Sequence, residues 1–191
     1  MLEIRFHGRG GQGTVLAAKI VADAVLRAGR GYCQAIPEFG VERRGAPVAA
    51  YARVALQPIR LRSRILRPDA VVLLDPALTK TVPVLEGLKP GGLILLNSDK
   101  SEEELAARWP RYKVRAVRAR FIAGELKLGP AAAPLVNTAM AGAVCAALEL
   151  CELEALEDAV RAAVPVKREE NASAARIAFM QIRSEVPYAP A

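Results

Sequence analysis

The sequence predicts an α/β fold: a three-layer, Rossmann-like sheet with helices on both faces and a helical C-terminal third. Three observations carry that expectation. The short run Leu2-Glu3-Ile4-Arg5-Phe6 passes through Gly8-Arg9-Gly10-Gly11-Gln12-Gly13 into helical sequence, in the order strand, glycine turn, helix. Two unbroken apolar runs, at 70–74 and 93–96, read as central parallel strands buried on both faces. From residue 118 onward the pattern is helical. No internal repeat or composition break divides the chain, so 1–191 reads as one domain, long enough for a substantial core.

The elements follow in order. Residues 2–6 form the first strand, and 12–27 a helix with Val15, Leu16, Ile20 and Val25 among its apolar positions and Gly29 closing it. Residues 31–36 are a short strand. Residues 37–45 hold Pro37, Gly40 and Gly45 and must be a loop. In the strand 47–56, Val48, Ala50, Ala52, Val54 and Leu56 share one face, and Tyr51 and Arg53 the other. Residues 59–67 form a basic connection or helical turn, stopped by Pro68. Residues 78–88 are a short helix or turn interrupted by Pro83, and 89–92 (KPGG) a turn. Ser101 is placed to cap a helix, with Glu104 at the capping-box position, and that helix ends near Trp109-Pro110. A strand follows at 112–117, then helices to 126 and over 134–150, 154–163 and 169–184.

Composition narrows the function. Hydrophobic residues make up 52% and charged residues 25%, which excludes a disordered chain. Glu3, Arg5 and His7 interrupt the start too often for a signal peptide, and no apolar run spans a membrane. Three cysteines, Cys33, Cys145 and Cys151, share no CxxC spacing, which fits a reducing cytoplasm and places no metal site on the chain. The net charge of +7 raises nucleic-acid binding. No recognition motif and no interleaved aromatics support it, so an acidic protein or an anionic cofactor is the favoured partner.

The candidate chemistry centres on the glycine turn. Four glycines in six residues permit positive φ and close approach, and the helix after them aims free N–H groups at the same spot. An anion, most often a phosphate, suits that design. In α/β sheets ligands sit at the carboxyl ends of the strands, which brings the turn, the 37–45 loop and Asp75 to one sheet edge. Gly8, Gly10 and Gly13 also satisfy the dinucleotide pattern GxGxxG. Glu38 stands near the place of a ribose-binding acid, and Arg43 and Arg44 near that of a 2′-phosphate partner, so a self-sufficient NAD(P)-binding oxidoreductase is the alternative. Glu42, Arg43, Arg44 and Gly45 are either a solvated loop or, because arginine forks suit phosphate and carboxylate, part of the site. His7, the one histidine, reads as structural, and Asp75 before Pro76 as a cap or loop orienter. No nucleophile–base constellation stands out, so no catalytic residue is assigned. Cys145 and Cys151 read as core. The Ala-rich 131–151 stretch with Asn137 reads equally as core or as a helix packed on another subunit.

Gly8-Arg9-Gly10-Gly11-Gln12-Gly13 (GRGGQG) and the later Pro37-Glu38-Phe39-Gly40-Val41-Glu42-Arg43-Arg44-Gly45-Ala46-Pro47-Val48 together resemble the gamma subunit of 2-oxoacid:ferredoxin oxidoreductases of the pyruvate or 2-ketoisovalerate type. Residues 69–75 (DAVVLLD) and 167–176 (KREENASAAR) are also similar to that family, and the likeness covers nearly the whole chain. At 137–143 (NTAMAGA) the chain departs from the Leu-Gly-Ala ending expected there. The resemblance implies an accessory subunit of an enzyme that oxidatively decarboxylates a 2-oxoacid to an acyl-CoA and reduces ferredoxin. It implies thiamine diphosphate, Mg and iron–sulfur clusters on the other subunits, namely alpha, beta and a ferredoxin-like delta. For this chain it implies a role in assembly and in coenzyme A access. Gly8, Arg9, Gly10, Gly11, Gln12, Gly13, Glu42, Arg43, Arg44 and Gly45 are then the expected cofactor-facing residues, with no nucleic-acid or membrane partner.

Overall fold

A computed structural model describes residues 1–38 and 44–184. Its centre is a six-stranded sheet in the order β2-β3-β1-β4-β5-β6. The strands are β1 (Leu2–Arg9), β2 (Tyr32–Pro37), β3 (Pro47–Ala55), β4 (Ala70–Leu73), β5 (Leu93–Asn97) and β6 (Lys113–Val117). β1, β4, β5 and β6 run parallel, whereas β3 lies antiparallel between β1 and β2. The carboxyl ends of β1, β2 and β4 therefore meet the start of β3 at one sheet edge, as the sequence predicts.

The helices are α1 (Thr14–Arg27), α2 (Glu102–Arg108), α3 (Ala119–Glu125), α4 (Asn137–Ala147), α5 (Leu153–Ala163) and α6 (Arg168–Arg183). They are shared unequally between the faces. α1 and α3 to α6 enclose the larger core with Ile4, Phe6, Ala50, Ala52, Val72 and Leu95. The other face is covered by Leu105 of α2, a 3-10 turn at Pro76–Lys80 and the loop carrying Val84 and Leu88. Ser101 Oγ accepts from Glu104 N at 3.2 Å and starts α2, the expected cap. The Glu104 carboxylate pairs with Lys100.

Small residues let the helical layer close up. A Cβ on Gly142 of α4 would lie 2.8 Å from the carbonyl carbon of Ala175 in α6. Ala139, Ala143, Ala174, Ala175 and Ala178 are fully buried around that crossing. The Asn137–Ala147 part of the Ala-rich stretch is thus an internal helix contact. α5 and α6 are further clipped by Glu157, whose carboxylate accepts from Arg176 and Arg161. The Arg176 hydrogen bond above all, with the nearby charges of Arg176 and Arg161, holds that carboxyl below its usual range.

The first strand carries a polar row on the face away from α1. Glu3, Arg5 and His7 alternate with the core residues Ile4 and Phe6. Arg5 is buried, and its guanidinium donates to the carbonyls of Ile65 (3.4 Å), Val84 (2.9 Å) and Glu86 (2.6 Å). Buried Arg53 donates to Glu3 at 2.9 Å and to the Leu61 carbonyl at 3.5 Å. These arginines hold two irregular segments over a half of the sheet that no described helix covers.

Three sequence expectations change. The helix expected over 134–150 spans only Asn137–Ala147. Residues 59–67 form no helical turn but an irregular strap whose Ile65 packs on Ala49 and Tyr51. That strap buries Tyr51 and Arg53, so β3 is covered on both faces and its alternation marks sidedness without an exposed side. The first strand continues three residues past Phe6, because Gly8 and Arg9 keep pairing with Val48 and Pro47 of antiparallel β3.

Candidate functional site: a glycine turn at the strand ends

The turn is built from both sides. Gly10 N donates to Ala46 O at 2.9 Å, and Gly45 N to Gly10 O at 3.0 Å, which locks it to the segment entering β3. Gln12 N donates to Arg9 O at 2.9 Å, and its side-chain Oε1 accepts from Arg9 N at 2.7 Å. Gln12 therefore folds the turn on itself. Gly11 and Gly13 have φ of 93° and 74°, left-handed conformations that cost an L side chain strain. Gly11 faces open space.

Gly13 is the N-cap residue of α1, and no side chain caps the helix. Its first-turn N–H groups and positive dipole end remain for an external acceptor. Thr14 Oγ1 is buried there, without a hydrogen-bond partner among the described residues. A Cβ on Gly8 would run onto that same oxygen, so the glycine lets the helix start pack directly on the strand.

Arg9 acts as a staple. Its Nε donates to Asp75 Oδ2 at 2.5 Å and its NH1 to Gly45 O at 3.1 Å. Asp75 Oδ1 accepts from Ala77 N at 2.9 Å and caps the 3-10 turn. The Arg9 charge is thereby matched within the protein, and Asp75 has the capping and orienting role expected of it.

Two clefts flank the turn and share Gly10 and Gly11. One, of about 540 Å³, runs past Thr14, Lys19, Pro37 and Val48. The other, of about 320 Å³, is lined by Gln12, Arg44, Asn97, Arg120 and the 130–136 segment. The structure thus brings together Gly8, Arg9, Gly10, Gly11, Gln12, Gly13, Arg44 and Gly45. Glu42 and Arg43 lie outside the described residues. Lys19, Asn97, Arg120 and Asn137 are the additions. Asn97 donates to Leu74 O at 3.1 Å and accepts from Arg120 N at 3.0 Å, tying β5 to β4 and α3. A polar residue ending the apolar strand LILLN was the signal for it. Asn137 at the start of α4 lies against Gly13.

The arrangement suits holding an anion rather than moving a proton. Burial, then the Arg5 charge, lowers the His7 imidazole to about 4, so it is neutral near pH 7. Burial pushes the Cys33 thiol up to about 12. Cys145, hydrogen-bonded to Cys151 and fully buried, is also held above its ordinary value. Neither Cys33 nor Cys145 is poised as a nucleophile. No cluster of three or more His, Cys, Asp or Glu side chains fit for a metal lies among the described residues. Nor is any described helix long and apolar enough to cross a membrane.

Residues 3–181 match the family model described as pyruvate ferredoxin/flavodoxin oxidoreductase. The chain is 48% identical over 182 residues to a Thermococcus kodakarensis protein named pyruvate/ketoisovalerate oxidoreductases common subunit gamma, covering 94% of this chain and 96% of that one. It is 43% identical over 183 residues to a Methanocaldococcus jannaschii pyruvate synthase subunit PorC, covering 95% and 97%. The crystal structure of pyruvate oxidoreductase subunit PORC from Thermotoga maritima matches with a TM-score of 0.74 at 31% identity, over 94% of this chain and 95% of that one.

Proposed function

Because the chain belongs to the pyruvate ferredoxin/flavodoxin oxidoreductase family, we propose that it is the gamma-type subunit of a multisubunit 2-oxoacid:ferredoxin oxidoreductase. The observation that carries this is near end-to-end identity of 48% with a protein named as such a subunit. The complex oxidatively decarboxylates pyruvate or a related 2-oxoacid to an acyl-CoA and passes the electrons to ferredoxin. Thiamine diphosphate, Mg and the iron–sulfur clusters supply that chemistry on the alpha, beta and ferredoxin-like delta subunits. This chain works as a single domain in the cytoplasm, and alone it is inactive.

Its own residues bind and position. The uncapped start of α1, open Gly11, and Arg44 and Arg120 across the turn fit the phosphates of coenzyme A. Gly45, Arg9 and Gln12 hold the turn in shape, and Glu42 and Arg43 belong to the same loop in sequence. The self-sufficient NAD(P) reading finds less support: Glu38, its ribose acid, pairs with Arg64 at 3.4 Å. The relatives named above are oxidoreductase subunits.

The test is Arg44→Ala, alone and with Arg43→Ala, in the assembled enzyme. KM for coenzyme A rises about tenfold, the loss of a charged hydrogen-bonded contact, while KM for the 2-oxoacid stays fixed. Unchanged coenzyme A kinetics and unchanged assembly make both arginines surface charge. Calorimetry on the lone chain separates the alternative, since binding of NAD or NADP unaided contradicts the subunit reading.

A further inference from the structure

We propose that the strap of residues 56–67 is a docking surface for another subunit of the same oxidoreductase, one presenting an apolar centre with an acidic rim. The inference rests on the subunit reading above and adds the place and chemistry of one interface.

The strap reads Leu-Gln-Pro-Ile-Arg-Leu-Arg-Ser-Arg-Ile-Leu-Arg and holds four arginines and no acidic residue. Its leucines recur every five residues and point to water: Leu56 is 87% exposed, Leu61 53% and Leu66 68%. Met1 is exposed beside them. Together with Pro58 and Ile59, Met1, Leu56 and Leu61 line a shallow cleft of about 440 Å³. Arg60, Arg62 and Arg67 have no ion-pair partner among the described residues, and Arg64 has only Glu38. Apolar side chains ringed by unmatched charge of one sign mark an interaction surface.

The strap is held in place. Ile65 is buried against Ala49 and Tyr51. Arg53 grips the Leu61 carbonyl and Arg5 the Ile65 carbonyl from beneath. Buried arginines spent on a loop's backbone hold its outward side chains in fixed positions, which lowers the ordering cost of association. The apolar cleft lies at the end of the sheet where β3 leaves and β1 begins, opposite the glycine turn. A subunit docked there leaves the two turn clefts open.

Charge selects the occupant. A second copy related by a two-fold axis would set arginines against arginines. Nucleic acid would meet leucines where it needs aromatic stacking, and the strap has no aromatic residue. An acidic rim around an apolar centre satisfies both the arginines and the leucines.

The test uses the full chain and the remaining subunits of the enzyme, with affinity measured by sedimentation of the reconstituted complex. Two variants change the strap: Leu56→Ser with Leu61→Ser, and Arg60→Glu with Arg62→Glu and Arg67→Glu. Val166→Ser, an exposed apolar residue elsewhere, is the control. Each strap variant weakens assembly about tenfold or more, and the control does not. Added salt weakens the wild-type complex and has a smaller effect on the glutamate variant. Far-ultraviolet dichroism and melting of the lone chains stay at wild-type values, since the altered side chains are exposed. Wild-type affinity in both strap variants overturns the docking site while leaving the subunit reading intact. Failure of the wild-type chain to assemble overturns that reading and this inference with it. Strap-dependent dimerisation of the lone chain, or strap-dependent binding of a single-stranded oligonucleotide or phosphatidylglycerol vesicles with assembly unaffected, assigns the surface to a different occupant and overturns the proposal.

Discussion

Replacing Gly13 by alanine tests the construction of the glycine turn at its tightest point. The residue sits at φ 74°, where an L side chain costs roughly 1–2 kcal/mol. Its new Cβ would stand 2.5 Å from Nδ2, 2.9 Å from Cγ and 3.1 Å from Cβ of Asn137. Swinging the amide aside is not enough, because the Asn137 stem itself is in the way and the residue is buried. Overpacking of this kind costs roughly 1–3 kcal/mol. The two terms together come to about 3 kcal/mol, which for a chain of 191 residues lowers Tm by roughly 6–12 °C. The assay is a double-mutant cycle by denaturant unfolding with Gly13→Ala, Asn137→Ala and the pair. Asn137→Ala removes the two shortest contacts, to Nδ2 and Cγ, but leaves the Cβ contact at 3.1 Å and the backbone strain, so the pair recovers about 1 kcal/mol relative to the sum of the singles. A Gly13→Ala protein that melts with wild type, or a cycle with no coupling, refutes the claim that Asn137 of α4 packs directly against Gly13.

Three further outcomes follow from the same geometry. Gly142→Ala pushes a Cβ into the backbone of Ala175, which no rotamer can relieve, and costs about 3 kcal/mol or more by thermal melting. Arg5→Met strips donors from the carbonyls of Ile65, Val84 and Glu86, with a net cost of roughly 2–4 kcal/mol once the relief of a buried charge is subtracted. Trypsin should then cut faster within 56–67, and wild-type cleavage rates would show that Arg5 does not hold the strap. For His7 the folded imidazole is lowered to about 4 from an ordinary 6.5, so between those values the unfolded chain binds more protons. Its contribution is full above pH 6.5 and is lost as pH falls toward 4, by up to roughly 3 kcal/mol, and His7→Gln flattens that slope in unfolding measured against pH.

Much of the fold was legible because its strongest signals are local. The runs at 70–74 and 93–96 read as buried strands and are β4 and β5, and Ser101 with Glu104 marked the start of α2. The antiparallel placing of β3 between β1 and β2 was not legible, since register depends on partners far along the chain. The alternation Glu3, Arg5, His7 along β1 was a visible two-residue period, yet its meaning lay in loop carbonyls more than sixty positions away. Within the candidate site, the glycines and the Arg44 segment were readable from their spacing. Asn137 was not, because only the folded chain brings α4 onto Gly13. Arg9 looked from sequence like a ligand contact, and its neutralisation by Asp75 could be seen only once β1 and β4 were side by side.

The central claim, that this chain is one subunit of a larger oxidoreductase, is tested most directly by tagging it in the organism that encodes it and identifying what co-purifies under anaerobic conditions. The account predicts a stoichiometric complex whose other chains bind thiamine diphosphate and iron–sulfur clusters. That complex should reduce ferredoxin with pyruvate or a related 2-oxoacid and coenzyme A, and lose the activity when this chain is removed. A chain that purifies alone, or a complex whose 2-oxoacid oxidation survives without it, contradicts the account.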